Sequence, residues 1–129
     1  MTVAILDASA LLALLKGEAG ADRVADVIGN SLIGAFNLAE VISYFVRLGA
    51  PITDIRAMLD TLPLQVSPAD EALAWEAGAL RDATAQAGLS LGDRFCLALA
   101  RREGVPAYTA DRVWNDVADT TGIAIVMIR

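Results

Sequence analysis

Apolar positions come in short runs, broken at intervals by charge, glycine or proline, and their spacing alternates between strand-like and helix-like. Thr2–Leu6 is a Val/Ile-containing run ending at Asp7 and predicts a buried strand. Ala8–Leu15 is rich in Ala and Leu and predicts a helix closed by Gly17, followed by a short helix over Ala21–Ile28 that ends at Gly29–Asn30. Ser31–Ala35 predicts a second strand. Asn37–Leu48 is helical, with Leu38, Val41, Ile42 and Phe45 on one face, stopped by Gly49 and Pro51. Thr53 can cap the next helix, which runs through Leu62, and Leu64–Val66 is a short strand.

Ala69–Ala87 predicts one long helix whose stripe of Leu73, Ala77, Leu80 and Ala87 is interrupted by the hydroxyl of Thr84. Ser90 caps a helix through Arg102, closed by Gly104. Ala107–Thr109 is a strand, Arg112–Ala118 a short helix, and Ile123–Ile128 a final strand. Strands alternating with helices through short connections imply an α/β fold with a parallel sheet covered on both faces. A length of 129 residues and the absence of any linker or repeat predict one domain over 1–129.

Composition narrows the chemistry. Hydrophobic residues make up 56% and mean hydropathy is +0.52, yet no run reaches the ~20 residues of a membrane span. Nor does the start read as a signal peptide, so a cytoplasmic protein with no membrane partner is expected. The apolar excess predicts a dense core or surface covered by a partner. Cys96 is the only cysteine and histidine is absent, which removes disulfides, thiolate clusters, His-ligated zinc and histidine-based triads. Cys96 then reads as a small buried hydrophobe. The net charge of −6 argues against a broad basic nucleic-acid surface. It is compatible with clustered carboxylates that bind cations.

Ligands of parallel sheets bind at the carboxyl ends of the strands, and four acids fall there. Asp7 follows the first strand, Glu40 lies one turn into the helix after the second, Asp93 sits in the first turn of the helix begun by Ser90, and Asp111 follows Ala107–Thr109. Asp7, Asp93 and Asp111 each also suit a helix N-cap or capping box. Glu40 shares a polar stripe with Asn37, Tyr44 and Arg47 and, taken alone, reads as a solvated helix carboxylate. Together, four acids with no basic partner require neutralisation by protons or hard cations, Mg²⁺ or Mn²⁺. Such a site suits phosphodiester hydrolysis.

Ile5-Leu6-Asp7-Ala8-Ser9, Asn37-Leu38-Ala39-Glu40-Val41, Leu89-Ser90-Leu91-Gly92-Asp93 and Tyr108-Thr109-Ala110-Asp111-Arg112, in this order, resemble the motifs of PIN-domain ribonucleases, and within them the VapC-type toxins of toxin–antitoxin systems. The resemblance covers essentially the whole chain. It implies a PIN-like three-layer sandwich with a central parallel sheet of about five short strands. It makes Asp7, Glu40, Asp93 and Asp111 the catalytic, metal-binding acids for Mg²⁺ or Mn²⁺. Ser9 would support the site, and Asp116 is a further acid in the region, better suited to the surroundings of the site or the surface.

The resemblance also implies cleavage of RNA to 5′-phosphate and 3′-hydroxyl ends, a homodimer, and inhibition by a cognate antitoxin. Arg94 and Arg112 adjoin site acids and are candidates for RNA contact, or for ion pairs with those acids. Trp75 and Trp114 read as packing or interface groups rather than base-stacking platforms, and Tyr44 as a half-buried helix residue, with stacking on RNA as its alternative. The rival reading is a PIN-fold module that binds RNA or protein without cutting. A phosphoacceptor receiver is excluded because the only lysine, Lys16, follows the first helix. A haloacid-dehalogenase-like phosphatase is excluded because Asp7-Ala8-Ser9 is not Asp-x-Asp.

Overall fold

The computed structural model describes residues 1–129. Five strands, β1 (Ala4–Leu6), β2 (Ser31–Gly34), β3 (Gln65–Ser67), β4 (Ala107–Thr109) and β5 (Ile125–Met127), form one sheet in the order β3-β2-β1-β4-β5. Every pairing is parallel: Ile5 lies beside Leu32 on one side and Ala107 on the other. The chain winds outward from β1 through β2 to β3, crosses back to β4, then winds outward to β5. The order therefore reverses between β1 and β4, where a crevice opens at the carboxyl ends of the strands.

Eight α-helices make the connections: α1 (Ala8–Lys16), α2 (Ala21–Val27), α3 (Ala35–Arg47), α4 (Ile52–Asp60), α5 (Glu71–Ala79), α6 (Arg81–Thr84), α7 (Leu91–Glu103) and α8 (Ala118–Thr121). They bury two separate apolar layers. Leu6 joins Leu11, Val24, Ile33 and Val41 on one face of the sheet. Ile5 joins Leu73, Leu97, Leu99 and Trp114 on the other. Adjacent residues of a strand point to opposite faces, so β1, buried at all three positions, is the shared floor of both layers. This is the α/β three-layer arrangement expected from the alternation of elements.

The expected long helix over 69–87 is instead two, α5 and α6, with the break at Leu80. Gly78 weakens the helix there. The buried Thr84 hydroxyl also turns back to donate to Leu80 O over 2.8 Å and Arg81 O over 3.3 Å, a contact that competes with the regular ladder and bends helices. The expected helix at 112–118 is a 3-10 segment, Arg112–Val117, continued by α8. Thr53 lies inside α4, whose N-cap is Pro51 and has no side-chain cap bond. No helix is long and apolar enough to cross a membrane.

Candidate active site

Asp7 leaves β1 and caps α1. Its Oδ1 accepts from the Ala10 N–H over 2.8 Å and from Ser9 Oγ over 2.7 Å, and its Oδ2 accepts from Thr109 Oγ1 over 2.6 Å. Only 3% of the residue is exposed. Desolvation dominates its ionisation: burial lifts the carboxyl to about 6 against the opposing hydrogen bonds of Thr109, Ala10 and Ser9, with a further rise from the charge of Asp93. The carboxylate that caps α1 thus also faces the crevice at the strand ends, so the two readings of Asp7 are compatible.

Glu40 projects from α3 against the start of α7. Asn37 Nδ2 donates to Glu40 Oε1 over 2.9 Å and to Gly92 O over 3.0 Å, tying the two helices together. A Cβ at position 92 would stand 2.7 Å from Glu40 Oε1, so the carboxylate occupies space that only glycine leaves open. Desolvation raises the Glu40 pKa, the Asn37 hydrogen bond lowers it, and Asp93 raises it again. Asp93 completes a capping box with Ser90: its Oδ2 accepts from Ser90 N–H over 2.9 Å while its own N–H donates to Ser90 Oγ. Asp111 Oδ1 accepts from Val113 N–H over 3.1 Å, and the Asp111 N–H donates to Thr109 Oγ1 over 3.1 Å.

These four acids line one cleft of about 680 Å³, together with Ser9, Leu12, Phe36, Tyr44 and Arg47. None of them is ion-paired; the salt bridges join Lys16 and Arg129 to Glu18, and Arg102 to Asp70. Helix N-termini behind Asp7 and Asp93 offset part of the charge. One oxygen of each of Glu40, Asp93 and Asp111 accepts no protein hydrogen bond. An all-oxygen, anionic donor set with unused lone pairs fits a hard divalent cation. No three of the acids stand close enough together to hold an ion between them directly.

Ser9 stands in the cleft, donating to Asp7 and accepting from Ala110 N–H over 2.9 Å. Asp116 lines a separate recess with Asp82, Gln86 and Thr120. Arg94 reaches Ala77 O on α5 over 3.4 Å, and the exposed Arg112 does not line the cleft; neither forms an ion pair with a site acid. Thr109 and Asn37 are site-building residues that the sequence reading did not single out. Their only local signal is a polar side chain among apolar neighbours at a strand end and on the Glu40 stripe. Cys96 is fully buried, its thiol pushed well up by desolvation and then by Asp7, Asp93 and Glu40, so it packs as a hydrophobe. Trp114 is fully buried in the core, while Trp75 is 75% exposed.

Solved structures share this architecture. A chain of the DNA-bound VapBC complex from Salmonella typhimurium aligns over 100% of both chains with a TM-score of 0.78 and 19% identity. A chain of a toxin–antitoxin complex from Klebsiella pneumoniae aligns over 98% of each with a TM-score of 0.73 and 20% identity. A sarcin-ricin-loop-cleaving VapC toxin from Mycobacterium tuberculosis covers 84% of this chain and 90% of its own, with a TM-score of 0.70 and 21% identity. At such identities the likeness is one of fold. No curated protein matches the sequence. The PIN domain family model, however, matches residues 4–120, and the chain belongs to the PIN domain family.

Proposed function

We propose that this chain is a metal-dependent endoribonuclease and the toxin of a toxin–antitoxin pair. The observation that carries the nuclease reading is the convergence of Asp7, Glu40, Asp93 and Asp111 on one cleft with no ion-paired cation among them. It lies at the reversal of strand order, where ligands of such sheets bind. Membership of the PIN family supports it. The fold likeness to VapBC chains supports the toxin role and a cognate antitoxin partner.

In this reading the four acids hold Mg²⁺ or Mn²⁺. When bound, the cation supplies an activated water and offsets charge on the scissile phosphodiester. The chain's own residues position the acids: Thr109 and Ser9 fix both oxygens of Asp7, and Asn37 holds Glu40 against Gly92. Phe36, stacked on Phe95 with ring centroids 5.0 Å apart, forms an apolar wall of the cleft. Ser9 belongs to this support, and Asp116 lies outside it. The single catalytic domain pairs as a homodimer, and exposed Trp75, Leu48 and Ile52 supply apolar surface for partners.

Incubating the purified chain with labelled RNA and Mn²⁺ tests the reading. Cleavage leaving 5′-phosphate ends is expected, abolished by chelation, by Asp7→Asn and by Asp93→Asn, with growth arrest on expression relieved by the same variants. Undiminished cleavage in either variant would reject the assigned site.

A further inference from the structure

The acids explain how the cleft could hold a cation, but not how so acidic a chain would hold a polyanion. Of nine arginines, Arg23, Arg94, Arg101, Arg102 and Arg129 are occupied by backbone carbonyls or by Asp70 and Glu18. Arg47, Arg56, Arg81 and Arg112 have no such partner, and of these four only Arg47 lines the acidic cleft. It is the last residue of α3 and stands seven positions beyond Glu40, two turns along and on the same face, so acid and cation are about 10 Å apart along the helix axis.

Tyr44, between them on that face, also lines the cleft. Its ring carries Arg47 at 5.5 Å from the centroid and Lys16, the end of α1, at 4.7 Å. Both distances are within cation–π range. Lys16 is neutralised by Glu18 at 3.2 Å and does not line the cleft, which leaves Arg47 as the one unpaired cation held by this half-buried aromatic beside the acids.

Resting on the ribonuclease reading, we propose that Arg47, held on Tyr44, anchors a backbone phosphate of single-stranded RNA at the rim, away from the scissile bond. Tyr44 is a positioning residue. The guanidinium takes the phosphate through forked hydrogen bonds, and the strand runs along α3 from this anchor to the acids near Glu40.

The test compares the full-length chain with Arg47→Ala, Arg47→Lys, Tyr44→Phe and Tyr44→Leu, using Arg81→Ala as a control that removes the same charge elsewhere. Two quantities are read across a salt series: turnover of a labelled single-stranded RNA with Mn²⁺, and anisotropy of that RNA bound to each variant carrying Asp7→Asn. Arg47→Ala should raise KM about tenfold with little change in kcat. It should also lower the slope of log affinity against log salt by about 0.7, while Mn²⁺ affinity and Tm stay unchanged. Arg47→Lys and Tyr44→Phe should recover most of the loss, Tyr44→Leu should not, and Arg81→Ala should match the parent.

An Arg47→Ala variant with unchanged KM and salt slope, in a chain that cleaves RNA, overturns the anchor and leaves the nuclease reading standing. RNA binding that depends on Arg47 without any cleavage supports the anchor and removes the nuclease reading. A parent chain that neither binds nor cleaves RNA overturns both.

Discussion

Thr109 and Asp7, 102 positions apart in sequence, meet where the strand order reverses, with Thr109 Oγ1 donating to Asp7 Oδ2 over 2.6 Å. The same hydroxyl accepts the Asp111 N–H over 3.1 Å, so one threonine joins the acid after β1 to the acid after β4. Thr109→Val keeps the shape and removes both contacts. It should cost about 1–3 kcal/mol at neutral pH, the range for leaving buried polar groups unsatisfied, and should reduce cleavage strongly. Thr109→Ser keeps the hydroxyl and should retain activity, at a stability cost of about 1 kcal/mol for the lost methyl. Urea melts and RNA turnover on the two variants check this; a valine variant equal to the parent in both would rule out the bridging role.

Burial of Asp7 makes stability depend on pH in a definite direction. Its carboxyl titrates near 3.8 unfolded and about 6 folded, so between those values the folded chain binds more protons than the unfolded one. The contribution of Asp7 is fully present below pH 3.8 and is lost as pH rises through 6. At about 1.4 kcal/mol per pKa unit, the metal-free chain should lose about 3 kcal/mol across that window. Glu40, raised by desolvation and by Asp93, acts in the same sense. Asp70, lowered by its Arg102 hydrogen bonds, acts oppositely, its contribution being lost as pH falls. Subtracting the pH profile of Asp7→Asn isolates the Asp7 contribution. Millimolar Mn²⁺ at pH 7 should restore stability in the parent and do so less in the variant. A flat difference profile would mean that Asp7 is not held in the desolvated state described.

Gly92→Ala separates stability from function. Alanine favours a helix by up to about 1 kcal/mol over glycine, and the clash it creates, 2.7 Å from Glu40 Oε1, falls on the end of a flexible side chain. The variant should therefore fold at least as well as the parent while its Glu40 carboxylate is pushed from the Asn37 contact. Displacement of a site group by about 1 Å can cost about 100-fold in rate, so cleavage should fall by that order with Tm unchanged or raised. Unchanged turnover would show that the position of Glu40 does not matter to the reaction.

The acids at strand ends were legible because strand, turn and helix signals around Asp7 and Asp111 are local, and parallel winding brings such ends together. The break at Leu80 was not, because Leu73, Ala77, Leu80 and Thr84 keep helical spacing straight through it; Gly78 alone is too weak a signal to end a helix, and the Thr84 hydroxyl bond to Leu80 O exists only in the fold. Thr109 and Asn37 were hidden for another reason: their partners Asp7 and Gly92 lie 102 and 55 positions away. Arg94 was drawn in by adjacency to Asp93, yet neighbours on a helix diverge by about 100°, and its guanidinium reaches Ala77 on α5 instead. Arg47 shared the Glu40 stripe in the sequence, but its opening onto the cleft depends on how α3 packs.

Asp93 closes the α7 capping box with one oxygen and, on the proposed reading, offers the other to a cation, and two substitutions can part these tasks. Oδ2 accepts from the Ser90 N–H over 2.9 Å and closes the capping box, while no protein hydrogen bond reaches Oδ1. Asn still offers an acceptor for the cap, whereas Ala removes it, and loss of a cap costs about 1 kcal/mol. Asp93→Asn should thus melt within a degree or two of the parent and Asp93→Ala several degrees lower, with cleavage lost equally in both. Asp93→Asn should also leave the Mn²⁺-induced rise in Tm much reduced, because the neutral amide removes one of the four charges that a cation would offset. Thermal melts with and without Mn²⁺, run beside RNA turnover, measure both tasks. If Asp93→Asn retained turnover while Asp93→Ala lost it, Asp93 would act through the cap alone, and its place among the cation-binding acids would have to be given up.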